Sequence, residues 1–272
     1  MTKQTRRKFV LRILGILGGG ILTIWFYRRK ILMNTLFKTT VNPDISITAA
    51  SSFDTEVCIL TSKQLEGPFY FPSPERSNII EDRIGKALDL KIQVLRHPDC
   101  TPIKNAVVEL WQSDADGNYS GYPEEMTQDV WKLFMYFGKH GEKKPDGEYA
   151  TTPTVKTTYL RGLQKTDAEG WVMFNTIFPC WYVNRVPHIH FKIFIGKEEQ
   201  LTSQFYFEKE FHDKIFTTEE PYKKYGICPI TIQNDGAIAL TPGNKHEGLL
   251  LKPVWNDHSA LAASVKIRVA KS

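Results

Sequence analysis

His188 and His190 flank a single residue, follow Arg185 by three and five positions and Tyr182 by six and eight, and share the chain with a second tyrosine, Tyr119, in the turn-forming run Asp116-Gly117-Asn118-Tyr119-Ser120. Two imidazoles and two phenols form a donor set that few proteins need. A hard, highly charged ferric ion is best matched by anionic oxygen donors, and two phenolates lower its potential and hold it oxidised. Neutral imidazoles complete such a sphere without adding charge. Zinc or copper is the rival metal, but tyrosinate is a poor first choice for zinc, which prefers cysteine, histidine and carboxylate. An isolated His-x-His is more often a pair of ordinary strand residues. The two tyrosines and the arginine turn the reading towards a metal.

The elements that must position these groups are strands. From His188 to Ile195 the chain alternates, with Ile189, Phe191, Ile193 and Ile195 on one face and His188, His190, Lys192 and Phe194 on the other. A half-buried strand puts the isoleucine face in the core and turns both histidines into one cavity. Tyr182 and Arg185 lie in a loop opened by Pro179, and Pro187 stiffens the last step before His188, so the loop can fold back over the histidine face. Lys192 on that face either meets a substrate carboxylate or is a solvated strand lysine.

Similar alternation recurs at Leu88, Leu90, Ile92 and Val94, at Val108 and Leu110, at Val172 and Phe174, at Phe205 and Phe207, and at Val265, Ile267 and Val269. Turn residues at 114–118, 167–170 and 234–236 separate these runs. The pattern predicts an all-β fold, an antiparallel β-sandwich with long loops, over residues 56–272. Helical spacing occurs only after Thr127, at Val130, Leu133 and Phe134, within an excursion from Pro123 to Thr158 of the kind that forms a lid or binding loop. There Met135-Tyr136-Phe137 either walls an aromatic pocket or flaps over the core.

Of 272 residues, the first 30 carry eight of the 35 basic side chains and no acid; the remaining 27 basic residues face 30 acidic ones, a net of −3. That excludes a nucleic-acid-binding body, since the positive charge is confined to the leader. The leader reads as an export signal or membrane anchor: Thr5-Arg6-Arg7-Lys8-Phe9-Val10-Leu11 resembles the twin-arginine signature, and Ile13–Tyr27 is apolar, predicting membrane contact through residues 10–33. Those fifteen apolar residues span about 22 Å as a helix against a bilayer core of roughly 30 Å, so a cleaved signal and an uncleaved anchor both stay open. Residues 31–55 form a polar linker. Four cysteines stand at 58, 100, 180 and 228. Export permits disulfides, with Cys58–Cys100 and Cys180–Cys228 as the expected pairing and four reduced thiols as the alternative.

Six segments in order resemble the intradiol ring-cleavage dioxygenases, non-haem iron(III) enzymes that open catechols between their two hydroxyls. They are Leu65-Glu66-Gly67-Pro68-Phe69-Tyr70; Cys100–Ile103 leading to 106–111; Asp114–Gly121; Arg161-Gly162-Leu163-Gln164 with Thr166-Asp167; Phe178–Tyr182; and Arg185-Val186-Pro187-His188-Ile189-His190. The resemblance implies a mononuclear ferric ion held by Tyr119, Tyr182, His188 and His190, with Tyr182 and His190 axial. Arg185 then steadies negative charge on a bound catechol, Gln204 lines the same pocket, and Tyr182 takes a substrate proton. Dioxygen is the co-substrate and a cis,cis-muconate-type dicarboxylate the product. The chain departs from the family pattern at Cys180, where glycine is usual, and at Gln112 and Ser113. It resembles the protocatechuate-type core and exported single-domain members, since residues 31–87 show no helical dimerisation segment. The alternative from another class is a metal-free sandwich serving as a binding module of the exported or cell-surface type.

Overall fold

The computed structural model describes residues 58–240 and 248–270. The export signal or anchor at 1–30 and the linker at 31–55 lie outside the described residues. Among those described, no helix is long and apolar enough to cross a membrane.

In chain order the strands are β1 (Ala87–Arg96), β2 (Thr101–Pro102), β3 (Val107–Gln112), β4 (Gly141–Lys143), β5 (Tyr149–Thr151), β6 (Arg161–Lys165), β7 (Trp171–Ile177), β8 (His188–Ile195), β9 (Glu198–Phe207), β10 (Leu250–Leu251), β11 (Val254–Trp255) and β12 (Leu261–Val269). One five-stranded sheet runs β11-β12-β1-β2, with β7 also paired to β1; the other runs β10-β9-β8-β3-β6. The inward residues of both sheets meet in one core. Leu88, Leu90, Ile92 and Val94 of β1 share it with Val108 and Leu110 of β3, Ile189, Phe191 and Ile193 of β8, and Phe205 and Phe207 of β9. Each set is spaced by two, so the predicted alternation is the physical origin of the core.

The sheets are mixed, not antiparallel throughout. β12 runs parallel to β1 along its length, from Leu88 beside Leu261 to Arg96 beside Val269, and β10 runs parallel to β9. Alternation is blind to strand direction, which is set by the route of the connections. A second correction concerns β8, which is buried on both faces from His188 to Ile193. Its second cover comes from distant chain, the Leu65–Phe71 loop and the excursion, and leaves no trace in the local pattern.

The excursion carries α1 (Val130–His140) and the β4–β5 hairpin. Asp129 caps α1 by accepting from the backbone N–H groups of Trp131 at 2.7 Å and Lys132 at 3.1 Å. The inner side of α1 buries Leu133 and Tyr136, whereas Met135 is 57% exposed. Two helices had no counterpart in the expected pattern: α2 (Lys209–Thr218) and the short α3 (Gly236–Leu240). Residues 234–236, expected as a turn between strands, instead join a 3-10 turn at Ile232–Asn234 to α3.

Cys58 and Cys100 form a disulfide, as expected, but Cys180 and Cys228 are free, buried thiols. Sequence spacing alone does not fix which cysteines pair.

Candidate metal centre

On the sheet face opposite the core, register sets Trp111 of β3 beside His190 of β8, and His190 beside Gln204 of β9. Period-two alternation therefore places Trp111, His188, His190, Gln204 and Tyr206 on one surface. Two loops bring the tyrosines to it. The first is a tight turn in which the Asp114 carboxylate accepts from the N–H groups of Asp116 at 2.9 Å and Asn118 at 2.8 Å. Gly117 takes φ +81° there, and a Cβ in its place would lie 2.2 Å from Nε2 of Gln128. Tyr119 follows directly. In the second loop Tyr182 and Arg185 pair across a turn, Arg185 N–H donating to Tyr182 O at 2.9 Å, with Asn184 at φ 61°. The phenol and the guanidinium thus leave the turn on the same side.

All four predicted donors converge. Tyr119 Oη lies 3.4 Å from Tyr182 Oη and 3.2 Å from His188 Nε2. Tyr182 Oη lies 3.3 Å from His188 Nε2, which is 3.1 Å from His190 Nε2. All four side chains are buried. His188 Nδ1 sits 2.6 Å from the carbonyl oxygen of Val186. That contact requires a proton on Nδ1 and leaves the Nε2 lone pair aimed at the phenols. The four contacts can share at most three protons, one from each phenol and one from His190 Nε2. Hydrogen bonding alone cannot satisfy the cluster, and a cation at its centre would. The residues fit a metal ion with oxygen and imidazole donors. Among the described residues no group of three His, Cys, Asp or Glu side chains is arranged to hold one, so the zinc-type donor set is not found there.

Burial sets the charge state. It pulls both imidazoles well below the ordinary histidine range, with Arg185 pulling further on His188 and His188 and Arg185 on His190. It also pushes the phenols of Tyr119 and Tyr182 up, opposed by the positive charge of Arg185. Without a cation the cluster is therefore neutral.

Arg185 Nη1 donates to Tyr182 Oη at 3.4 Å, and Nη2 donates to Oε1 of Gln204. Gln204 Nε2 in turn donates to Leu65 O at 2.8 Å, so Gln204 orients the arginine and ties β9 to the covering loop. Asp235, which the sequence reading did not single out, completes this arrangement. Its carboxylate takes Nε of Arg185 on both oxygens at 3.0 Å, the N–H of Val186 at 2.9 Å, and the N–H groups of Ala237 and Ile238 in α3. Burial alone would lower the Arg185 pKa; Asp235 and the surrounding phenols outweigh it and hold it above the ordinary range. The only signal for Asp235 in the sequence was its place ahead of a helix, as an N-cap.

Aromatic rings wall the cluster. Phe69 packs 4.7 Å from Tyr119 and 5.0 Å from Tyr122, and Phe137 of α1 stacks on Phe69 at 6.1 Å. Arg161 is fully buried beneath this wall, donating to Ser120 Oγ at 2.8 Å and to Phe69 O at 2.7 Å, and burial lowers its pKa to about 10. It ties the residue after Tyr119 to the loop that carries Phe69. Lys192 corrects both of its expected roles. It is buried, 2.5 Å from Glu66 and 2.7 Å from Glu199, with its ammonium 4.1 Å above the Tyr70 ring. A lysine under a covered face must be supplied with counter-charges. The departures at Gln112, Ser113 and Cys180 are all buried, and Gln112 bridges the two sheets by donating to Ile177 O at 2.8 Å.

Residues 66–223, more than half of the chain, match the family model described as Dioxygenase. A chlorocatechol 1,2-dioxygenase from Cupriavidus pinatubonensis is 26% identical over 151 residues, 53% of each chain. Another, from Pseudomonas sp., is 31% identical over 114 residues, 42% of this chain and 41% of the relative. The chain thus spans about half the length of the curated relatives it matches. An intradiol ring-cleavage dioxygenase from Tetranychus urticae aligns with 78% of this chain and 95% of its own, at 26% identity and a TM-score of 0.64. The match runs from the loop over His190 to the helix beyond β9 and takes in both tyrosines, both histidines, Arg185 and Gln204; the chain belongs to the intradiol ring-cleavage dioxygenase family.

Proposed function

We propose that this chain is a non-haem iron(III) intradiol dioxygenase, inserting both atoms of dioxygen into a catechol-type diol to give a cis,cis-muconate-type dicarboxylate. One observation carries the reading: two phenol oxygens and His190 Nε2 lie 3.1–3.3 Å from His188 Nε2, with the phenol oxygens 3.4 Å apart, beside a buried, oriented guanidinium. Tyr119, Tyr182, His188 and His190 would hold the iron. A ferric ion bound there supplies a site for both catechol oxygens and makes the ring reactive towards dioxygen. The protein's own part is charge and shape. Tyr182 Oη is the proton acceptor for the incoming diol, and Arg185 at 3.4 Å favours its anionic form until the proton arrives. Protonation of Oη then leaves the guanidinium facing the substrate, where fixed positive charge counts most in a dry site. Phe69, Tyr122 and Phe137 exclude water. Diol plus dioxygen balances the diacid with no atom left over, so no outside reductant is needed.

The test is oxygen uptake by iron-loaded protein across catechol, protocatechuate, hydroxyquinol and caffeate, with labelled dioxygen. Both labelled atoms in a ring-opened diacid support the reading. A colourless protein inert towards every diol points to the metal-free binding module instead.

Iron binding carries its own pH signature. Both phenols are held protonated by burial, whereas the imidazoles are already neutral, so loading releases two protons, both from tyrosine. Apparent affinity should rise with pH by about two decades per unit near neutrality, read by competition with a chelator of known protonation. A flat profile would mean that the tyrosines do not bind as anions.

Export by the twin-arginine route, to a periplasmic or other extracytoplasmic place, is part of the same proposal. The Cys58–Cys100 disulfide supports an oxidising compartment. Replacing Arg6 and Arg7 with lysine should retain the protein in the cytoplasm, and fractionation showing unchanged export would reject this route.

A further inference from the structure

His188 and His190 are held by different means. The His188 ring is fixed by its Nδ1–H on Val186 O at 2.6 Å, but Nδ1 of His190 is buried with no hydrogen-bond partner among the described residues. Nε2 of His190 meets His188 Nε2 at 3.1 Å, and on the Nδ1 side the ring is held by packing. Trp111 stacks on the imidazole at 4.8 Å and 12°, and the backbone of Gly67 closes on its edge. A Cβ at Gly67, which has φ +78°, would lie 3.1 Å from His190 Cε1.

Gly67 does not hold itself there. Its neighbour Glu66 forms ion pairs with Lys192, two residues beyond His190 on the same face, and with Lys144 in the β4–β5 turn. The Glu66 N–H donates to the Glu148 carboxylate of that turn at 2.9 Å, and Thr151 of β5 donates its N–H to Pro68 O at 3.0 Å. Lys192 also carries Glu199 of β9, so the chain of charges runs from the hairpin through Glu66 into the metal-binding strand.

We propose that Glu66 is a positioning residue for His190: by bridging Lys144 and Lys192 it seats Gly67 against the imidazole, and the β4–β5 hairpin acts as a strap that orients one nitrogen of the metal centre. The proposal rests on the metal reading above, deepens it, and has a readout independent of it. A buried cation with two carboxylates and a carboxylate with two cations leave little slack, so neutralising Glu66 releases both ends of the strap.

The test compares Glu66→Gln with wild type, using Lys132→Met, which breaks an exposed ion pair with Glu125 in the same excursion, as a control. In metal-free protein, long-range 1H–15N correlation of the histidine rings should show His190 broadened or doubled in Glu66→Gln and His188 unchanged. Amide exchange across residues 141–151 should quicken at least about tenfold, and ferric affinity should fall about 10- to 100-fold, the usual cost of a lost orienting partner. Lys132→Met should do none of this. Where Glu66→Gln fails to fold, Lys144→Met removes one anchor and keeps the Lys192 pair, and Lys144→Arg should restore the wild-type ring signals. A folded Glu66→Gln, or Lys144→Met in its place, with wild-type His190 resonances overturns the proposal. A wild type that binds no iron instead overturns the metal reading, and the ring spectra still decide this one.

Discussion

Asp235→Ala should cost the protein about 3–5 kcal/mol, the usual penalty for leaving one member of a buried ion pair alone. Three losses coincide at this side chain. The Arg185 guanidinium keeps its charge without a carboxylate, Val186 N–H loses its acceptor, and α3 loses its cap. The isosteric Asp235→Asn separates stability from chemistry. Its amide oxygen can still accept from the backbone, so the fold should survive with a smaller loss. The guanidinium, no longer drawn to a carboxylate at 3.0 Å, should turn from Tyr182 and Gln204. Turnover should then fall about 10²–10³-fold, the cost of one misplaced charge-stabilising donor. Chemical denaturation and steady-state oxygen uptake read the two effects. An Asn variant with wild-type turnover would show that Arg185 needs no anchor.

The second large effect is expected at His188→Ala. His188 Nε2 is the hub of the cluster, the one atom in contact with the other three donors. Its removal should weaken ferric binding more than about a hundredfold, beyond the loss typical of an orienting partner, and abolish oxygen uptake. The strand itself should stay, because Ile189, Phe191 and Ile193 bury the opposite face in the core. Tyr182→Phe contrasts with it: iron should remain bound while the colour changes and turnover slows. Metal content, absorption and circular dichroism on the same samples distinguish these outcomes. A His188→Ala protein that retains iron and colour would remove this residue from the site.

The site was legible in the sequence because its residues sit on features with short-range signatures. The run His188–Ile195 matches the bounds of β8, and the turn chemistry of Asp114 and Gly117 marks the step that delivers Tyr119. Tyr182 and Arg185 are three residues apart across one turn, so their joint placement is local as well. What remained hidden is what depends on distant chain. The parallel pairing of β1 with β12 joins segments more than 160 residues apart. Asp235 reaches Arg185 across 50 residues, and its buried charge is explained only by that partner. Lys192 looked like a surface lysine because its counter-ion Glu66 arrives from a loop over 120 residues upstream. The helix α2 did carry a local sign, since His212, Ile215 and Phe216 fall at helical spacing on its buried side.

The most direct measurement is the resonance Raman spectrum of iron-loaded protein, excited in the visible. If Tyr119 and Tyr182 both bind ferric iron, the protein is coloured and phenolate ring vibrations dominate the spectrum. Tyr119→Phe and Tyr182→Phe should each remove part of that set, and the double variant all of it. A stoichiometric ferric complex with no phenolate vibrations, or with a spectrum unchanged in the double variant, would contradict the account.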